Sequence, residues 1–173
     1  MATTVIVVMG VSGSGKTTVA GLLAARLGWR LAEADAFHSP ANVAKMRNGI
    51  ALTDADREPW LDAIAGWIDA VRAAGARGVV TCSALKRRYR ERLARGRGDV
   101  RFVYLRGGYA LVADRIAART HEYMPPSLVR SQFETLEEPG TEENPIVVAI
   151  DRPPEAIVEA VVAALGPDAA PRG

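Results

Sequence analysis

Gly10-Val11-Ser12-Gly13-Ser14-Gly15-Lys16-Thr17 matches the phosphate-binding pattern G-x-x-x-x-G-K-[ST] at every fixed position. The apolar run Val5 to Met9 precedes it and reads as a buried strand. Val19, Ala20, Leu22, Leu23 and Leu27 follow at helical spacing. Strand, glycine turn and helix together are the setting this pattern needs. Glycines let successive N–H groups turn inward into an anion nest, and a helix beginning near Gly15 aims its positive dipole end at the same point. Lys16 adds a full charge suited to β- and γ-phosphates, and the Thr17 hydroxyl is placed to ligate Mg²⁺. The segment from Gly10 through Thr18 is therefore the expected nucleotide phosphate site.

The chain has 173 residues, which predicts one domain with a core large enough to need no disulfide or metal. Lys and Arg number 22 against 20 Asp and Glu, a net charge of +2. That balance is too small to indicate a nucleic-acid partner. A single cysteine, Cys82, cannot form an internal disulfide and points to a reducing compartment. The first apolar stretch is only strand length and runs straight into the glycine turn. No apolar run approaches a membrane span. A cytoplasmic protein without membrane association is expected.

Apolar strands alternate with amphipathic helices, the mark of an α/β fold with a parallel sheet covered on both faces. Strands are predicted at about 3–9, 29–34, 78–82, 101–105 and 146–150. The second ends at Asp35, and ligands in such sheets bind beyond the carboxyl ends of strands. Ser39-Pro40 opens a short helix that stops near Gly49. Thr53 to Asp56 offers caps for a longer one, with Pro59 expected in its first turn. Trp60, Ile64, Trp67 or Ile68, and Val71 then recur as core positions. The arginine-rich stretch from Lys86 to Arg101 reads as a solvated helix face. Helices follow at about 109–118 and 127–136, with the loop His121 to Pro126 between them. The last runs from Pro153-Pro154 to Gly166-Pro167, leaving a frayed tail at 168–173. One domain, 1–167, is predicted, with a small lid at about 119–137.

Several later motifs carry a resemblance. They are Asp35-Ala36-Phe37-His38, Asn42-Val43-Ala44-Lys45-Met46, and Leu52-Thr53-Asp54-Ala55-Asp56-Arg57 with Pro59-Trp60-Leu61. Cys82-Ser83-Ala84-Leu85-Lys86 with Tyr89-Arg90, and Ser131-Gln132-Phe133-Glu134-Thr135-Leu136-Glu137, complete the set. With the glycine turn, these resemble the gluconokinases over nearly the whole chain. The resemblance implies a three-layer phosphate-loop kinase fold like that of shikimate and nucleoside monophosphate kinases. It implies ATP-dependent phosphorylation of D-gluconate to 6-phospho-D-gluconate, which feeds the pentose phosphate or Entner–Doudoroff routes, and a homodimer. The lid departs from many members, with His121-Glu122-Tyr123 where Gly-His-Phe is frequent.

Phosphoryl transfer needs positioning and charge neutralisation rather than covalent chemistry. Lys16 and the turn's amides are expected to hold ATP, with Thr17 on Mg²⁺. The third strand ends in Thr81-Cys82-Ser83, without an aspartate. Asp35 is therefore assigned both the metal's waters and the substrate's hydroxyl proton. Gluconate's carboxylate calls for a cation. Arg57 suits a bidentate grip, and His38, Lys45 and Lys86 are further substrate candidates. Arg115 and Arg119 lie four apart on one helix face. They resemble the lid-base arginines of the wider superfamily, the first packing on adenine and the second reaching phosphate. Cys82 reads as a packing residue. A kinase of the same fold acting on another small acceptor, a non-catalytic nucleotide-binding regulator and, third, a nucleic-acid binder using the basic stretch near Lys86 are the competing readings.

Overall fold

The computed structural model describes residues 2–118 and 126–169. Five strands form one sheet: β1 (Val5–Met9), β2 (Arg30–Glu33), β3 (Gly78–Thr81), β4 (Val100–Arg106) and β5 (Ile146–Ala149). Their spatial order is β2-β3-β1-β4-β5, and every pair is parallel. The strand carrying the glycine turn is thus central, paired with β3 on one side and β4 on the other.

Alternation along β1 divides the core in two. Ile6 and Val8 face Val19, Leu23 and Leu27 of α1 (Lys16–Leu27), together with Ile157 and Val161 of α7 (Pro154–Leu165). Val5, Val7 and Met9 face Trp60, Ile64 and Ile68 of α3 (Asp54–Ala73), and Tyr89 and Leu93 of α4 (Arg87–Ala94). A strand covered on both faces must be apolar throughout, which is why β1 has no polar residue. The remaining helices are α2 (Pro40–Arg47), α5 (Tyr109–Ala117) and α6 (Pro126–Thr135).

Some details differ from the sequence reading. Pro59 lies inside α3, beyond its first turn, because the helix begins at Asp54 under a Thr53 cap. The Thr53 hydroxyl accepts from the Asp56 N–H at 3.1 Å while the Asp56 carboxylate accepts from the Thr53 N–H at 2.9 Å. This reciprocal cap fixes the helix start. Ile68, not Trp67, takes the fully buried position; Trp67 packs over Gly78 instead. The tail is ordered further than expected: Pro167–Ala169 forms a 3₁₀ turn with Ala169 buried, and Arg77 donates to the Asp168 carbonyl. The expected lid at 119–137 is described only from α6 onward.

The arginine-rich stretch is solvated at most positions but not at Arg90. That side chain is 1% exposed and pairs with Glu143 at 2.7 and 3.1 Å. It also donates to the Ala84 and Leu85 carbonyls, at 2.9 and 3.3 Å. Ala84 sits at φ 46, so the loop after β3 is a bent conformation that Arg90 holds from behind. Periodicity alone could not separate Arg90 from its exposed neighbours. Burial would raise the Glu143 carboxyl, but the Arg90 hydrogen bonds and the Gly140 N–H outweigh it and hold the group below its usual value.

Removing one partner of a buried pair leaves an uncompensated charge, so Arg90→Met should lower unfolding free energy by about 3 kcal/mol or more in urea titrations. The pair's contribution should be fully present above the ordinary glutamate range. It should fade as pH falls through the depressed Glu143 value, and Arg90→Met should lose that acid limb.

Candidate functional site

The carboxyl ends of β1, β2 and β3 open onto one cavity of about 800 Å³. Ser12, Gly13, Gly15, Lys16, Thr17 and Thr18 form its floor. Gly13 sits at φ +81, and a Cβ there would come within 2.7 Å of Ile116, so the turn closes against α5 only with glycine. Gly15 caps α1 at φ 96 without any side-chain capping bond, and α1 has no acid in its first turn. Both features leave the helix N-terminus suited to an anion.

Three residues of the predicted phosphate set lie outside the cavity lining. The Gly10 N–H donates to the Ser83 carbonyl at 3.3 Å and the Ser14 N–H to the Val11 carbonyl at 3.2 Å, so these two amides brace the turn. Val11 and Ser14 are buried, and the Ser14 hydroxyl packs against Gly10. Lys16 donates to the Gly10 and Val11 carbonyls at 3.0 Å each. The ammonium thus lies over the turn, at the place where a phosphate would draw it outward.

Glu33 is a functional candidate that sequence reasoning missed. The Thr17 hydroxyl donates to its carboxylate at 3.0 Å. Both residues line the cavity, and the bond directs the hydroxyl's proton to Glu33 and leaves its lone pairs for a cation. A hydroxyl and a carboxylate beside a phosphate nest are hard oxygen donors of the kind Mg²⁺ takes. The signal was available: Glu33 is the last residue of β2, two before Asp35.

Asp35 lies in a 3₁₀ turn, Ala34–Phe37, immediately beyond β2. Two buried bonds fix that turn. The Ala34 N–H donates to the Thr81 hydroxyl at 3.1 Å, and the Trp60 indole N–H donates to the Ala34 carbonyl at 2.8 Å. Asp35, His38 and Arg57 all line the cavity with the glycine turn. The His38 ring stacks on Trp60, centroids 4.2 Å apart and 8° from parallel. Its Nδ1 is buried and has no hydrogen-bond partner among the described residues. Burial pushes the imidazole below its usual 6.5; Asp35 opposes and Arg57 reinforces the shift.

Two of the proposed substrate cations are engaged elsewhere. Lys45 bonds both Asp56 carboxylate oxygens at 3.0 Å, and the Asp56 pKa is held down to about 2, chiefly by the Thr53 N–H and then by Lys45. Lys86 bonds Asp54 at 3.0 Å. Neither lines the cavity, because each closes a local charge pair between helices. Arg115 donates to the Ile150 carbonyl beyond β5 and also stands outside the lining. Arg119 and His121-Glu122-Tyr123 lie outside the described residues. Cys82 is fully buried, and burial pushes its thiol up to about 12, as a packing residue should show.

The second missed residue is Gln132 of α6. Its amide oxygen accepts from the Ser12 N–H at 2.6 Å and its amide nitrogen donates to the Ser12 hydroxyl at 2.9 Å. The helix that covers the cavity is therefore fastened to the phosphate turn. The Ser12 N–H is thereby occupied by Gln132.

A phosphate nest facing a carboxylate and a guanidinium across one hollow makes chemical sense in an enzyme that moves a phosphoryl group to a small acceptor. The fold and site define a kinase of the phosphate-binding-loop class. A family profile described as an AAA domain matches residues 5–139. A gluconokinase of Gluconobacter oxydans is 49% identical over 160 residues, covering 91% of this chain and 88% of its own. The solved structure of a gluconokinase from Sinorhizobium meliloti is 44% identical, with a TM-score of 0.85 over 95% of this chain and 91% of its own. An unliganded sugar kinase from a Janibacter species is 46% identical, with a TM-score of 0.90 over 98% of this chain and 99% of its own. This chain belongs to the gluconokinase family.

An NMR titration should show His38 protonating below pH 6.5. Between its folded value and 6.5 the unfolded chain binds the extra proton, so stability is full above that range and falls as pH drops through it. His38→Asn should flatten this limb of a pH series of unfolding curves.

Proposed function

We propose that this protein transfers the γ-phosphoryl group of ATP to the 6-hydroxyl of D-gluconate, with Mg²⁺, releasing ADP and 6-phospho-D-gluconate. The observation that carries this reading is the single cavity shared by Lys16, Asp35 and Arg57. Family membership supports the acceptor.

The turn's outward amides and Lys16 hold the β- and γ-phosphates and neutralise them in the transition state. Lys16 leaves the Gly10 and Val11 carbonyls to do so. Thr17, whose hydroxyl donates to Glu33, and Glu33 itself are the residues that would hold Mg²⁺ and its waters. When bound, the ion would offset charge on the transferring phosphate oxygens. Asp35 is thereby relieved of the metal and serves as the base that accepts the 6-hydroxyl proton. Arg57 grips the carboxylate at the far end of the acceptor, so the acceptor's length sets which hydroxyl reaches the phosphate. His38, in the wall between Asp35 and Arg57, borders the acceptor's intervening hydroxyls. The superfamily resemblance assigns Arg115 to the adenine and Arg119 to the phosphates. The family resemblance adds a homodimer and a cytoplasmic setting to this reading.

A coupled ADP-release assay should show turnover that depends on gluconate and is abolished in Lys16→Ala. Asp35→Asn should keep ATP affinity and lose roughly 10²- to 10⁴-fold in kcat, the usual range for a positioned base. Release of ADP without any gluconate dependence contradicts the proposal, and near-normal turnover in Asp35→Asn removes Asp35 from it. Arg57→Ala should raise the gluconate KM by roughly tenfold or more while the ATP KM stays put.

A further inference from the structure

Tyr89, from the Tyr89-Arg90 pair, has so far been only a core residue. Its ring is 4% exposed and packs with Trp60 and Leu93. Its hydroxyl, however, joins two charged groups. It accepts from Arg57 Nη1 at 3.2 Å and donates to the Asp54 carboxylate. Three cations surround the ring: Arg57, Lys86 and Arg88 lie 5.6, 5.7 and 5.6 Å from its centroid.

These cations are not equivalent. Asp54 pairs with both Lys86 and Arg88. Arg57 makes no salt bridge among the described residues, and it alone of the three lines the cavity. One of the five guanidinium donors is spent on Tyr89, which leaves the rest of the fork for a carboxylate. A guanidinium on a flexible stem loses much rotamer freedom on binding, and a side chain fixed in advance loses less. The anchor is itself rigid, since α4 and α3 pack through the core that holds the Tyr89 ring.

We propose that Tyr89 is a positioning residue that sets the enzyme's preference for acid over neutral acceptors. Its hydroxyl aims Arg57 at the acceptor carboxylate, and Asp54 fixes that hydroxyl while withdrawing Lys86 and Arg88 from competition. This rests on the reading of Arg57 as the carboxylate grip, and it extends the recognition of the acid one layer beyond the cavity wall.

Tyr89→Phe keeps the ring and its packing and removes only the hydroxyl. The test is steady-state kinetics of the full chain with gluconate and with D-glucitol, a neutral polyol of the same length. For Tyr89→Phe the gluconate KM should rise roughly tenfold, as expected for losing one charge-assisted contact. Its kcat and ATP KM should stay within about twofold, and the ratio of gluconate to glucitol kcat/KM should fall by the same roughly tenfold factor. In an Arg57→Ala background, Tyr89→Phe should add nothing, because the two act as one unit. An unchanged gluconate KM in Tyr89→Phe overturns the inference, and so does a parallel change in ATP KM and kcat. A Tyr89→Phe effect that persists without Arg57 also overturns it. If Arg57→Ala itself leaves the gluconate KM unchanged, the carboxylate assignment fails first. If Arg57→Ala raises KM and Tyr89→Phe does not, only the role of Tyr89 fails.

Discussion

A polyphosphate is held by backbone N–H groups that converge on one point, and in this chain only a glycine turn at the end of the central strand can supply them. That requirement propagates outward. The turn must follow a strand buried on both faces, so β1 is apolar from Val5 to Met9. It must open a helix with no competing cap, so α1 begins beyond Gly15 without an acid in its first turn. It must also be braced, and the Gly10 and Ser14 amides are used for that purpose rather than for the ligand.

The bracing extends to every wall of the cavity. The loop after β3 accepts from Gly10, and the buried Arg90 holds its carbonyls. Arg90 is in turn held by Glu143, beyond the covering helix. Glu137 ties in from the same segment: its N–H donates to the Leu85 carbonyl at 2.7 Å and its carboxylate accepts from the Arg87 N–H at 2.9 Å, capping α4. With Gln132 on Ser12, the segment from α6 to Glu143 touches the phosphate turn directly and through the β3 loop. The Gln132 bonds to Ser12 thus couple the covering helix to the backbone of the phosphate turn.

The parallel sheet, its five strands and the glycine turn were legible because each is a local pattern: apolar runs, glycine spacing and helical periodicity. Asp35 was legible because a strand end is a topological position. The residues that escaped are those whose meaning depends on a partner distant in sequence. Lys45 and Lys86 look like substrate cations until Asp56 and Asp54 are found beside them. Arg90 looks solvated until Glu143 is found. Gln132 acts across 120 residues on Ser12. Glu33, at the end of β2, likewise gains its meaning only from Thr17 of α1, whose hydroxyl donates to it.

The central claim is that one hollow holds the phosphate donor at the glycine turn and a sugar acid reaching from Arg57 to Asp35. A crystal structure with a non-hydrolysable ATP analogue, Mg²⁺ and D-gluconate tests it most directly. The account predicts the 6-hydroxyl oxygen about 3–3.5 Å from the γ-phosphorus, in the near-attack range, beside Asp35, with the carboxylate on Arg57. Gluconate bound with its carboxylate toward the γ-phosphate, or bound outside this cavity, contradicts it.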